Sequence, residues 1–354
     1  MRLERGLVDG VGSDTAGGGG TGQGACIMFR MPGQDMSFHD QIRGDLRKAA
    51  ADMKDFVIVR SDGTPVFHLA NVVDDITMGI THVIRGDDHI ENTYRHVALY
   101  QALDAPLPRY AHLPMIVNAQ GKPYSKRDGA AYVGEFRERG FHPEALFNYL
   151  SLLGWSPGDD REKLSRAELI SLFTLDRVKS AAAQFDLRKL THLNSLYVAE
   201  MPVAVFAGEV REYVRKLDWG HTLDEGLFVR VCALMQSRTP VYSAAAGWKH
   251  FFSDLPDYDE HAVLKHLRRE GTRAALQRVH EALAAVSEFN PAAVEAALRG
   301  VEQALGLKPG ALNQTVRVAL TGLTIGAGIY ETAVVLGRAK VLARLEHAIT
   351  RYSI

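Results

Sequence analysis

An α/β domain built on a parallel sheet, followed by a mostly helical region, is the fold class this sequence predicts. Between Phe67 and Val117 apolar runs of strand length alternate with a helical stretch, the pattern of βαβ units. Beyond Pro202 the hydrophobic periodicity is helical almost throughout. With 46% hydrophobic and 23% charged residues, the chain can bury a substantial core. Its 354 residues suffice for about two or three domains of ordinary size.

The elements follow in order. Gly17 to Gly20, Gly22 and Gly24 make the start Gly-rich. Such a segment buries too little apolar area to offset its ordering entropy, so disorder is expected up to about Cys26. Cys26-Ile-Met-Phe-Arg and Phe56-Val-Ile-Val read as short strands, and Gln41 to Met53 between them as loop or short helix. Phe67-His-Leu-Ala, Thr81-His-Val-Ile and His112-Leu-Pro-Met-Ile-Val are further strand-length runs. Asp88 to Leu103 reads as a helix burying Val97, Leu99, Tyr100 and Leu103, with Asp87 as its N-cap. Asn118-Ala-Gln-Gly121 reads as a turn. Helices then run from Pro143 to Leu153, stopped by Gly154, from Ser165 to Phe173, capped by Ser165, and from Phe185 to Tyr197. Asn290-Pro291 is an N-cap followed by proline at the first helical position.

Composition narrows the function classes. The 41 basic and 42 acidic residues give a net charge of -1, so any nucleic-acid-binding surface must be local. Cys26 and Cys232 alone make neither a disulfide framework nor a zinc site. No apolar run is long enough to span a membrane and no signal-peptide core is present, so the cytoplasm is the expected compartment.

Two polar clusters carry chemistry. Gly121-Lys-Pro-Tyr-Ser-Lys-Arg-Asp-Gly129 is a loop in which Ser125, Lys126 and Arg127 offer a hydroxyl and two cations, suited to charge growing on a phosphate. On spacing alone a solvated basic turn is the commoner origin of such a loop. The second cluster is Phe67-His-Leu-Ala-Asn-Val-Val-Asp-Asp75 with His82-Val-Ile-Arg-Gly-Asp-Asp-His89. It places Arg85 and Asp88 where a strand meets a helix start, the usual ligand position in open α/β sheets. Arg85 can clamp a carboxylate through paired hydrogen bonds, and Asn71 can orient an amino or carboxyl group. The competing reading makes Asp74, Asp75, Asp87 and Asp88 helix caps, with Arg85 their surface partner.

Taken together, "FHLANVVDDITMGITHVIRGDDHIENTYRHVALYQAL", "HLPMIV", "GKPYSKRDGA" and "ALFNYLSLLGWSPGDD" resemble bacterial glutamyl-tRNA synthetase, a class I aminoacyl-tRNA ligase. "KPGALNQTVRVALTG" and "VLARLEHAI" are similar to the end of that family. The resemblance implies an α/β partial Rossmann-like catalytic domain, its C-terminal half, followed by mostly α-helical stem-contact and anticodon-binding domains. The implied order is a disordered tail (1–25), a remnant of the acceptor-stem insertion (26–66), the second Rossmann half (67–120), the KMSKS loop with the stem-contact domain (121–202), and the anticodon-binding domain (203–354).

The family activates glutamate with ATP, accompanied by magnesium, and passes the acyl group to tRNA-Glu. The resemblance therefore implies ATP, glutamate and tRNA-Glu as partners, with no zinc, no membrane and a monomeric state. The Ser125-Lys126-Arg127 run matches the KMSKS loop, with Lys126 contacting ATP phosphates; Pro123 and Tyr124 depart from the motif. Asn71 and Arg85 match glutamate-binding positions, Arg85 gripping the side-chain carboxylate and rejecting glutamine. Phe67 stands where a tyrosine is usual. Asp88 and His89 would lie near ATP, and Met115 and Ile116 would flank its adenine.

The family's front half, with its HIGH-type sequence, has no counterpart in this reading. The chain is expected to be incomplete or complemented by a second chain, and to exchange ATP and pyrophosphate poorly by itself. Two alternatives remain. A glutaminyl-tRNA synthetase relative would carry β-barrels in the C-terminal half. A non-catalytic tRNA-binding fragment would use Lys265 to Arg269 and Gln236-Ser-Arg238, with Arg238 meeting the tRNA.

Overall fold

The computed structural model describes residues 7–8, 26–129, 132–221 and 223–353. Its strands are β1 (Leu7–Val8), β2 (Ile27–Phe29), β3 (Met36–Asp40), β4 (Gly44–Lys48), β5 (Phe56–Val59), β6 (His82–Gly86), β7 (Arg109–Leu113), β8 (Ile116–Val117) and β9 (Ala183–Gln184). The helices to residue 200 are α1 (Phe67–Thr77), α2 (Ile90–Ala102), α3 (Val133–Glu138), α4 (Pro143–Leu152), α5 (Arg166–Leu172) and α6 (Leu187–Glu200). The chain divides into two compact units, one of residues 1–131 and 147–186, the other of residues 132–146 and 187–354.

In the first unit, one sheet has the order β1-β2-β5 and another the order β4-β3-β7-β6. β6 and β7 run parallel, in register from His82 opposite Arg109 to Gly86 opposite Leu113. β3 joins β7 in parallel through Asp40 and Tyr110. α1 and α2 pack with these strands over a core that includes Phe38, Val72, Val97, Leu99 and Tyr110. Ring edges of Tyr94 and Tyr110 meet Phe38 at 5.1 and 5.5 Å.

Several expectations change here. Leu7–Val8 pair with β2, against the expected disorder of the first 25 residues; the rest of that stretch lies outside the described residues. Phe67-His-Leu-Ala is the first turn of α1, not a strand. A run this short fits either element, and Leu69, Val72 and Ile76 lie at helical spacing on the core. Gln41 to Met53 is neither loop nor helix alone: it contains β4 and a 3-10 turn at Ala50–Asp52. The Asp40 carboxylate receives the amides of Ile42 and Arg43 at 3.0 and 2.9 Å, folding the chain back as β4. Asp87 is not the cap of α2. It forms an ion pair with Arg43, and a 3-10 turn over Asp87–His89 precedes the helix. The run from His112 breaks at Pro114 into β7 and β8, and β8 pairs with β9 instead.

Other local readings are borne out. Ser165 caps α5 within a full capping box, its hydroxyl receiving the Glu168 amide.

The second unit continues with α7 (Val203–Val214), α8 (Glu225–Met235), α9 (Lys249–Phe252), α10 (Glu260–His266), α11 (Thr272–Ala284), α12 (Pro291–Ala304), α13 (Asn313–Thr321), α14 (Ile329–Leu336) and α15 (Arg338–Arg351). Asn290 caps α12 by accepting the Ala293 amide, as its sequence indicated. α11 packs on α12 and α15 around fully buried Leu276, Val279, Leu283 and Leu345. Among the described residues no strand follows Gln184.

Candidate functional site

Both parallel strands β6 and β7 end at the same edge of the sheet, where Gly86 lies opposite Leu113. Arg85, next to last in β6, is half-buried there. Its Nη2 donates to the Thr93 hydroxyl at 2.7 Å and, at 3.5 Å, to the His89 carbonyl. Its Nε approaches His112 Nε2 at 3.4 Å. Nη1 has no hydrogen-bond partner among the described residues. Burial is the main influence lowering the Arg85 pKa, while Tyr110, Asp75 and Asp88 favour the charge. Asp75 is raised, mainly by burial, against the pull of Arg85. Neither carboxylate forms an ion pair with Arg85 among the described residues, so the guanidinium keeps an open edge.

Rings gather near this cation. Phe67, 52% exposed, has its centroid 5.8 Å from His96 and 6.4 Å from His89. His68 Nδ1 bonds His96 Nε2 at 3.1 Å, and Arg95 donates to His68 Nε2 at 3.1 Å. Burial first, and the charge of Arg85 next, push His96 down to about 3, so it is neutral at physiological pH. The half-buried Asn71 amide makes no side-chain hydrogen bond among the described residues.

Beyond β7 the chain passes Met115, whose carbonyl receives the Ala183 amide at 2.9 Å, and enters β8. The loop that follows is held by its own polar groups. Asn118 Oδ1 accepts the amides of Gln120 and Lys122, both at 3.0 Å, and its Nδ2 donates to Asp128 at 2.8 Å. Asp128 also receives the amide and the hydroxyl of Ser125, both at 2.9 Å. These hydrogen bonds hold the Asp128 carboxyl below its usual range, the Asn118 amide most. Gly129 has φ 140°, and a Cβ there would lie 3.0 Å from the Tyr124 hydroxyl. Lys126 and Arg127 are exposed and form no ion pair among the described residues. The loop is thus fixed by Asn118 and Asp128, which leaves two cations uncommitted.

Comparison with known proteins decides the family. A model of the catalytic domain of class I tRNA synthetases for E and Q matches residues 12–192. A model of an anticodon-binding domain matches residues 205–349. The chain is 37% identical to the glutamate–tRNA ligase of Moorella thermoacetica, covering 87% of this chain and 64% of that protein. It is 40% identical to the glutamate–tRNA ligase of Xanthomonas axonopodis, covering 92% of this chain and 69% of that protein. The chain belongs to the glutamyl-tRNA synthetase family. A solved glutamate–tRNA ligase from Elizabethkingia meningosepticum, in complex with its amino acid, has 28% identity and a TM-score of 0.81 over 93% of this chain and 68% of that one. The chain therefore spans about two thirds of the length of these synthetases. The helical second unit also distinguishes it from a relative with β-barrels in this region.

Within this synthetase fold, Phe67, Asn71, Arg85, Asp88 and His89 fall on α1, the end of β6 and the turn before α2. Met115 and Ile116 lie at β8, and Ser125, Lys126 and Arg127 on the loop after it. Arg238 lies in the second unit, exposed, on the 3-10 turn Gln236–Arg238. Its charge helps depress the nearby Arg317 pKa, after burial. Sequence reasoning did not single out Asp40, Thr93 or His112. The polar residues at strand termini, Asp40 ending β3 and the histidine of "HLPMIV" near the end of β7, were the available signal. Among the described residues no three His, Cys, Asp or Glu side chains gather as a metal-holding group. No helix among them is long and apolar enough to cross a membrane.

Proposed function

We propose that the chain works in the ligation of glutamate to tRNA, its first unit receiving glutamate and the ATP phosphates and its second unit the anticodon arm of tRNA-Glu. The observation that carries this reading is the Arg85 fork. Two of its nitrogens are held from behind, while Nη1 has no partner among the described residues, at the C-terminal end of the parallel strands β6 and β7. A γ-carboxylate satisfies that edge; the amide of glutamine leaves the cation unpaired. Asn71 orients the same amino acid, and Phe67 forms an apolar wall in place of a hydroxyl contact. Asp88 and His89 border the nucleotide, Met115 and Ile116 its adenine.

In the reaction, a glutamate α-carboxylate oxygen bonds to the ATP α-phosphorus as the bond to pyrophosphate breaks. A ribose hydroxyl of the tRNA terminal adenosine then takes the acyl group, and AMP leaves. Magnesium enters with ATP as part of that substrate. Lys126 and Arg127 meet the charge that develops on the phosphates, joined by the Ser125 hydroxyl when it leaves Asp128. Residues 26–66 act as the tail of the acceptor-stem insertion, 67–120 as the second Rossmann half, 121–202 as the loop and stem-contact region, and 203–354 as the anticodon-binding domain, with Arg238 touching the tRNA. The protein is taken as a cytoplasmic monomer.

The test titrates glutamate and glutamine separately into nitrogen-15-labelled chain. Glutamate is expected to shift the Arg85 Nε–H and Asn71 side-chain amide signals. Glutamine should need a concentration about tenfold higher or more, and the Arg85→Lys chain should lose the preference. Equal responses to the two amino acids, or an unaltered preference in Arg85→Lys, would overturn the reading. Salt-dependent tRNA binding with no response to either amino acid would favour a tRNA-binding role instead.

A further inference from the structure

We infer that Asp40, His112 and Thr93 form a buried positioning relay that aims the Arg85 guanidinium, leaving its Nη1 edge for the ligand. The inference rests on the reading of Arg85 given above and adds residues that reading does not use. Asp40 and His112 are both fully buried. Asp40 Oδ2 lies 2.6 Å from His112 Nδ1, and the same carboxylate receives the His112 amide at 3.0 Å. Burial would raise the Asp40 carboxyl, but the His112 ring and the amides of Arg43, Ile42 and His112 together hold it below its usual range. It is therefore ionised and can only accept hydrogen bonds.

That fixes the rest of the chain. His112 must carry its proton on Nδ1. Burial outweighs Asp40 and lowers the His112 pKa, so the ring is neutral and Nε2 is an acceptor. The buried Thr93 hydroxyl lies 2.9 Å from Nε2. When it donates there, its oxygen is left to accept Arg85 Nη2 at 2.7 Å. The alternative acceptor of the Thr93 proton is the His89 carbonyl at 3.2 Å. In that arrangement Nε2 takes Arg85 Nε at 3.4 Å. Either orientation makes Arg85 the donor and turns the same edge of its fork inward. Asp40 also holds the turn after β3, so it is a fold residue as well; Thr93, which holds no such turn, is the position to change.

The experiment reads ring and guanidinium nitrogens by NMR. In the unaltered chain His112 is expected as the Nδ1–H tautomer. In Thr93→Val, which keeps the shape and removes the hydroxyl that accepts from Nη2, exchange of the Arg85 Nη protons with solvent should quicken about tenfold, with a similar loss of glutamate-over-glutamine preference. Thr93→Ser should restore both. An Nε2–H tautomer at His112, or a folded Thr93→Val chain with unchanged Arg85 exchange, would overturn the relay. The tautomer is read on the unaltered chain, so a poorly folding valine variant does not remove the test. If Arg85→Lys leaves glutamate preference intact while Thr93→Val still frees Arg85, the site reading fails and the relay stands.

Discussion

Arg344 in the helical unit and Arg85 in the sheet-bearing unit are both inward-lying guanidiniums, yet their surroundings differ donor by donor. Arg344 is fully buried. Its Nε donates to the Asp254 carbonyl at 2.9 Å, Nη1 to Leu320 at 2.5 Å, and Nη2 to His250 and Ser253 at 2.7 and 2.6 Å. Every nitrogen is committed to main chain, and the segment around residues 250–254 is tied to α13 and α15 through one side chain. Burial draws its pKa down to about 10, which still leaves the cation at physiological pH. Arg85 meets a hydroxyl, a distant ring nitrogen and a distant carbonyl, with no partner for Nη1 among the described residues. Full satisfaction by the protein's own backbone marks a structural charge. A cation held from one side, with donors to spare, marks a binding one.

The comparison predicts unequal costs for the same change. Arg344→Met strips partners from four carbonyls and should lower the urea-unfolding free energy of the helical unit by about 3–5 kcal/mol. Arg85→Met should cost about 1 kcal/mol, because little of the fold depends on it. Equal losses, followed by circular dichroism during denaturation, would break the distinction.

Glu302 sharpens it with the opposite charge. Its carboxylate, 1% exposed, accepts the amides of Leu312 and Gly310, both at 2.9 Å, and Arg299 Nη1 at 2.6 Å. Burial alone would raise its pKa, but these donors overcome burial and lower it. A carboxyl depressed in the fold stabilises it above its unfolded value of about 4.3, and the contribution fades as pH falls through the folded pKa. Glu302→Gln should therefore lose about 1–3 kcal/mol at neutral pH, with the gap to the unaltered chain closing in acid. A gap constant between pH 7 and pH 3 would contradict this assignment.

What was legible in the sequence follows the span of each interaction. Ser165 and Asn290 announce their caps because each bonds an amide three residues on. Asp87 resembles them locally, but its partner Arg43 stands 44 residues back, beyond the reach of any pattern. The Asp40–His112 bond joins residues 72 apart, and only the parallel pairing of β3 with β7 brings them together. Phe67-His-Leu-Ala was ambiguous for a different reason: four residues, three of them apolar, carry too little periodicity to separate strand from helix, and packing of Val72 decided it. The loop cations stood out by composition, whereas the restraint imposed by Asn118 and Asp128 did not.

That restraint supports the smallest effect on stability. Lys126 is exposed and without an ion pair among the described residues, while the loop's shape rests on Asn118, Ser125 and Asp128. Lys126→Ala should leave the unfolding free energy within about 0.5 kcal/mol of the unaltered chain. Its effect should appear only when a phosphate is present, as ATP affinity weakened about tenfold in a fluorescence titration at low salt. If stability fell by several kcal/mol and ATP affinity held, Lys126 would belong with Arg344 as a structural cation. An uncommitted charge costs the fold nothing to remove because the fold never used it, and that separation of stability from binding is what the loop's internal latch makes possible.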